Sequence, residues 1–165
     1  MEILENEQKV YDKLDELAIE YTVIEHEPVY TAAELDSIKG RTHGIHCKNL
    51  FLRNAKGNKY YLITAKDDAE VNLKDVKDKI GSTRLSFASP ERLMKVLNLQ
   101  PGSVNPFSLI NDEEKVVTFF MDKSIINGED LNFHPNVNHK MVTISLDGLK
   151  KYLSDLGVII NPVEL

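Results

Sequence analysis

The sequence predicts a mixed α+β fold in one domain over residues 1–165, and three observations carry that prediction. Short apolar runs rich in β-branched and aromatic residues lie between turn residues. Segments of helical period, several with capping residues, are interspersed among those runs. No repeat, low-complexity tract or Pro/Gly/Ser-rich linker divides the chain. At 165 residues, 42% of them hydrophobic and 28% charged, the chain is long enough to close a real core.

From Glu5 to Leu17 the apolar positions Val10, Leu14 and Leu17, with Tyr11 and Ala18, recur at helical spacing. "YTVIEH", Tyr21 to His26, is a short strand, and "TAAELDSI" a helix with Thr31 as its N-cap. "KNLFLRN", the turn "AKGN" and "KYYLITA" form a β-hairpin turned at Gly57. Leu50 and Leu52 share one face while Phe51 takes the other, so both faces bury and this strand is internal. "VNLKDVKDKI" is a helix with Val71, Leu73, Val76 and Ile80 as its apolar stripe, stopped by Gly81. "RLSFAS" is a short extended piece. Ser89-Pro90-Glu91 then starts the helix "PERLMKVLN", a capping hydroxyl followed by proline at the first helical position. "LQPGSVNPFSLIND" is a stiff connection with two prolines and one glycine. "KVVTFFMD" and "KMVTISL" are further strands, with the polar, irregular "KSIINGEDLNFHPNVNH" and its single helical turn between them. "SLDGLKKYLSDLG" is a final helix, capped by Ser145 and stopped at Gly157.

Composition and missing motifs narrow the function. Twenty basic against 26 acidic residues give a formal charge of −6, which disfavours a broad sheath around nucleic acid. A local basic pocket could still grip a nucleic-acid end. No apolar run approaches the roughly 20 residues that span a bilayer. The acidic, amphipathic "MEILENEQKVYDKL" is unlike a secretory signal, and one cysteine forms no internal disulfide, so no membrane association and a cytoplasmic setting are expected. Neither G-x-x-x-x-G-K-[ST] nor G-x-G-x-x-G occurs, which removes support for ATP or dinucleotide binding, and no G-x-S-x-G elbow occurs. His43, His46 and Cys47, with His134 and His139 elsewhere, carry metal-ligand atoms, but without an H-E-x-x-H or C-x-x-C pair no metal is expected. Cys47 lies beside Lys48, whose ammonium could lower a thiol pKa, yet a lone cysteine entering a strand reads first as a small buried hydrophobe. Asp67-Asp68-Glu70 and Asp112-Glu113-Glu114 read as solvated turn carboxylates.

Three segments resist such bland readings. Lys48-Asn49 open an interior strand, where an ammonium is costly unless paired or facing a pocket. "PGSVNP", Pro101 to Pro106, is a stiff loop able to aim consecutive backbone N–H groups at an oxyanion. "FHPN", Phe133 to Asn136, sets an imidazole before a proline in an irregular region. Together they describe a pocket with a cation, an oxyanion-capable loop and a histidine, if the fold brings them together.

"HCKNLFLRN", "PGSVNPFSLIND" and "FHPNVNHKMVTIS", in this order, resemble the prolyl-tRNA editing family, the YbaK-like aminoacyl-tRNA deacylase domain, over nearly the whole chain. The likeness is greatest to its free-standing ProX/PrdX branch, associated with hydrolysis of alanyl-tRNA(Pro). The resemblance implies a curved, mostly antiparallel, barrel-like sheet flanked by helices. It implies an ester hydrolase without a cofactor, acting on the acceptor end of mischarged tRNA(Pro), with prolyl-tRNA synthetase and an elongation factor as candidate further partners. It also implies roles for residues. Lys48 would hold phosphate at the terminal adenosine, with Asn49 beside it. Gly102 would act in the loop that embraces the ester and positions water, with Ser103, Val104 and Pro106 lining the substrate. His134 would help select the aminoacyl group, and Arg84 and Asn136 would complete the binding set. The rival expectations are the cysteinyl branch of the same fold and a non-catalytic sensor of aminoacyl-tRNA or amino acid.

Overall fold

The computed structural model describes residues 4–27, 38 and 40–165. The helix expected from Thr31 falls outside them, apart from Ile38. The apolar runs build eight strands: β1 Tyr21–Glu25, β2 Ile45–Arg53, β3 Tyr60–Lys66, β4 Ser86–Phe87, β5 Val117–Asp122, β6 Leu131–Phe133, β7 Lys140–Ile144 and β8 Asn161–Val163. They form one mixed sheet in the order β1-β7-β6-β2-β3-β5-β8, with β4 also pairing β2. The pairs β1·β7, β6·β7, β2·β3 and β2·β4 are antiparallel. The pairs β2·β6, β3·β5 and β5·β8 are parallel. Among the described residues β1 and β8 stay at opposite ends, so the curved sheet does not close into a barrel.

Helices flank this sheet: α1 Glu5–Glu16, α2 Leu73–Ile80, α3 Pro90–Leu97 and α4 Leu146–Asp155. The expected caps form. Ser89 Oγ accepts from Arg92 N at 3.2 Å, and Ser145 Oγ accepts from Gly148 N at 2.9 Å. Gly81 adopts the left-handed conformation that ends α2, at φ 71°. The connection "PGSVNPFSLIND" holds a 3₁₀ helix, Pro106–Asn111, which the sequence reading treats as loop. Two short strands also escape that reading. β6 is only Leu-Asn-Phe, and β8 contains Pro162. Neither is long enough for its alternation to show.

Period-two alternation divides the core as the Leu50-Phe51-Leu52 pattern implies. Phe51, Leu62, Phe119, Phe133 and Val142 face one side, buried under Val10 and Leu14 of α1, Leu97 of α3, Phe107 of the 3₁₀ helix and Tyr152 of α4. Leu52, Tyr61 and Ile63 face the other side, against Val76 of α2 and Leu85. Each fully buried large side chain contributes about 1.5–3 kcal/mol of transfer free energy, and these two layers hold β2 and β3 rigid.

A buried charged network crosses the main layer. Lys140 of β7 and Glu7 of α1, both buried, meet at 2.6 Å, and the Tyr11 hydroxyl donates to the same carboxylate at 2.5 Å. Burial and the adjoining Glu7 carboxylate push the Tyr11 hydroxyl pKa far up. This network locks α1 onto the end of β7.

Candidate active site

β2 is the hub of the site because it has neighbours on both edges. On one edge β3 runs its length, from Cys47 opposite Lys66 to Arg53 opposite Tyr60. On the other, β6 covers Ile45 and His46, and β4 covers Leu52 and Arg53. Among the described residues, Cys47 to Phe51 are in register only with β3, apart from Ala88 N donating to Phe51 O at 3.0 Å. Among the described residues the sheet therefore has a notch where the first motif lies.

Lys48 and Asn49 stand in that notch but on opposite faces, since successive strand side chains alternate. Lys48 shares the α2 side with Leu50 and Leu52, and its Nζ donates to the Ala69 carbonyl in the loop after β3. Asn49 lies on the main-core side with Cys47 and Phe51. The hydroxyl of Thr64, its partner across the ladder, donates to Asn49 Oδ1 at 2.5 Å. That bond fixes the amide and turns its NH₂ away from Thr64. The sequence reading missed Thr64, which could have been found only through the hairpin register.

Cys47 is half-buried, and burial first, then the nearby Asp67 carboxylate, pushes its thiol pKa up to about 12. It packs against the main core with Lys48 turned to the opposite face, which favours the packing reading of that cysteine. His43 is exposed and pairs with Asp130 at 2.7 Å, while His46 is buried with Nε2 2.6 Å from Thr42 Oγ1. No group of residues suited to a metal ion occurs among the described residues. Asp112 departs from the solvated role expected of it: it is buried and accepts from Val116 N and Val117 N, while Glu113 and Glu114 are exposed.

The second and third motifs meet directly. Asn105 Nδ2 donates to Asn136 Oδ1 at 3.0 Å, joining the Gly102–Pro106 loop to the His134 loop. Gly102 is exposed at φ 92°, with open space where a Cβ would project. Ser103, Asn105 and Pro106 are buried and Val104 is half-buried against the core, so the loop is anchored behind and open at Gly102. Asn105 caps the 3₁₀ helix, its Oδ1 accepting from Ser108 N at 3.1 Å. An asparagine immediately before a proline is a helix-start signal the sequence reading left unused.

His134 follows β6, whose pairs Ile45–Leu131 and His46–Asn132 run parallel to β2. Lys48, within β2, and His134, just past the end of β6, thus each lie two residues beyond the same pair. The His134 ring lies 5.8 Å from that of His26, and its Nδ1 is 2.9 Å from the Lys140 carbonyl. Burial holds the imidazole pKa below its ordinary value. The Lys140 carbonyl opposes this in part, and His26, His46 and His139 add to it. A carbonyl only accepts, so in the neutral ring Nδ1 carries the hydrogen and Nε2 presents a lone pair.

Arg84 stands apart. It lines a cavity of about 740 Å³ beside α2 with Leu73, Lys74, Lys77, Asp78 and Leu85, and no other candidate residue lines that space. A smaller cavity, about 270 Å³, opens at the start of β2 between Gly44, Ile45, His46 and the Lys66-Asp67-Asp68 turn.

Residues 26–152 match the model of the aminoacyl-tRNA editing domain. The chain belongs to the aminoacyl-tRNA editing domain family. Membership makes it an enzyme of the aminoacyl-tRNA hydrolase class. Among editing-domain relatives, it is 44% identical to "Prolyl-tRNA editing protein ProX" of Acetoanaerobium sticklandii, covering 98% of this chain and 99% of that protein. It is 32% identical to "Prolyl-tRNA synthetase associated domain-containing protein 1" of Mus musculus, covering 88% of each. The fold matches a solved structure proposed to be a trans-editing enzyme for prolyl-tRNA synthetase, with TM-score 0.74 at 16% identity over 99% of both chains. Among the described residues no helix of this editing domain is long and apolar enough to cross a membrane.

Proposed function

We propose that the protein is a trans-editing deacylase, a single unit over residues 1–165, that hydrolyses the ester of alanine mischarged on tRNA(Pro) in the cytoplasm. The observation that supports the site assignment is the Asn105–Asn136 bond, which ties the loop carrying the open Gly102 to the segment that follows His134. The family and the near full-length likeness to a prolyl-tRNA editing protein support the substrate class.

An aminoacyl ester is already activated, so its hydrolysis needs a positioned water and stabilisation of the developing oxyanion more than a strong nucleophile. Backbone N–H groups of the Gly102–Pro106 loop supply the stabilisation. Water oxygen attacks the ester carbonyl carbon, the bond from that carbon to the ribose oxygen breaks, and the ribose oxygen takes the proton. Free alanine and uncharged tRNA leave. The vicinal ribose hydroxyl helps orient the water. The Nε2 lone pair of His134 suits the α-ammonium of the bound aminoacyl group, because only an acceptor can hold that donor. Lys48, released from the Ala69 carbonyl, serves the terminal adenosine phosphate as a point charge, with the Asn49 amide on the other side of the strand. Gripping only the acceptor end is compatible with a formal charge of −6.

Editing answers a limit of recognition. A pocket built for proline excludes alanine weakly, because missing methylene contacts are worth only about 1–3 kcal/mol. The test is deacylation of tRNA(Pro) charged with alanine, cysteine or proline. Alanine should be released fastest and proline spared. Faster release of cysteine moves the assignment to the cysteinyl branch. Binding of charged tRNA without release of any amino acid would make the protein a sensor.

A further inference from the structure

Asn136 is buried, and its amide is engaged on both sides. Its Oδ1 accepts from Asn105, while its Nδ2 donates to the Asn6 carbonyl at 3.0 Å and to Asn6 Oδ1 at 3.3 Å. Its backbone sits at φ 63°, a left-handed conformation that asparagine tolerates better than most residues. Asn105, with 0% exposure, is engaged as fully. Besides Asn136, its Nδ2 donates to the Ser103 carbonyl at 2.7 Å, and its Oδ1 accepts from Ser108 N. Asn111, at the far end of the same 3₁₀ helix, donates to Asn6 Oδ1 at 2.8 Å and to the Leu97 carbonyl at 2.9 Å. Asn105, Asn136, Asn6 and Asn111 therefore form a ring of side-chain amides, closed by the helix that runs from Pro106 to Asn111.

We propose that this ring is a positioning device for the ester pocket, in which Asn136 acts through Asn105 to set the Gly102–Pro106 loop against His134 and does not itself bind substrate. The inference rests on the deacylase reading of that pocket. A loop that presents backbone N–H groups to a reacting oxygen cannot also use them to hold itself in place. Here the Ser103 N–H is already engaged by the Gln100 carbonyl at 3.2 Å, which among the described residues leaves the N–H groups of Gly102, Val104 and Asn105 for that use. The Asn105 amide steadies the loop by taking up its Ser103 carbonyl and the Ser108 N–H of the following helix. The two halves of the pocket arise from distant stretches of chain, and the Asn105–Asn136 bond makes them one body. A misplacement of the order of 1 Å can lower a rate about 100-fold.

Two variants separate positioning from binding. Asn136→Gly keeps the left-handed backbone and removes the amide. Asn105→Ser keeps an oxygen for the Ser108 N–H and removes the donor to Asn136. Each should lower kcat on Ala-tRNA(Pro) about 10- to 100-fold with KM within about twofold, and the double variant should be no slower than the slower single one. Amide hydrogen exchange over residues 102–105 should quicken in Asn136→Gly while that of β2 and β3 stays unchanged. Multiplying effects on kcat, a raised KM at constant kcat, or unchanged exchange in the loop would each overturn the proposal. If the wild-type protein releases no amino acid from any charged tRNA, the deacylase reading falls, and loop exchange alone decides whether the ring positions the loop.

Discussion

Lys48 is the residue on which the site reading is most exposed to test. Its ammonium rests on a carbonyl, a single half-buried bond whose net worth is about 1 kcal/mol, so Lys48→Ala should fold nearly as stably as wild type. A bond to a charged phosphate is worth about 1.5–3 kcal/mol, so the same variant should lose about 10- to 100-fold in deacylation. Wild-type activity in Lys48→Ala would remove it from the site. His134 makes a prediction about pH. Burial depresses its folded pKa, so the unfolded chain binds the proton more readily. The stability tied to a neutral His134 is complete above the ordinary value of about 6.5 and is lost as pH falls below it. The thermal midpoint should decline from about pH 7 to pH 5, and His134→Gln should make that decline shallower. An identical slope in the variant would show that other groups carry the acid sensitivity. At this scale the sequence displays which chemistry is present. It does not display which face each residue takes: Lys48 and Asn49 are neighbours in the chain, yet the pleat sends them to opposite sides of the sheet.

Between elements, the decisive contact is the Glu7–Lys140 pair that fastens α1 to β7. Breaking a buried pair leaves one charge uncompensated, at about 3–5 kcal/mol. Glu7→Leu should therefore lower the denaturant midpoint sharply, and adding Lys140→Met should restore much of the loss. Failure of the second substitution to rescue would assign the damage to lost packing around Tyr11. The elements themselves were legible where their period ran long. The hairpin at Gly57, the stripe of α2 and the caps at Ser89 and Ser145 follow from local residues alone. β6 and β8 did not, because three residues contain no period and their strand character comes from the neighbour they pair with. The 3₁₀ helix after Asn105 was hidden by the prolines that make its sequence look like a loop.

In the whole molecule, the three motifs could be read from the sequence, but the meeting of the second with the third could not. That depends on parallel pairings and amide contacts between remote residues, which no spacing rule encodes. Asn132 and Ile45, whose contact ties β6 to β2, lie 87 positions apart, and Asn136 and Asn6 lie 130 apart. Such separations have a consequence on the ribosome. At roughly 5–20 residues per second, on the order of 10 s pass between the synthesis of Asn6 and that of Asn136. Through that interval the emerging chain carries Glu7 without Lys140, and later the Gly102 loop without Asn136. α1 and the Gly102 loop therefore wait unfastened until the residues around Asn136 and Lys140 have been translated.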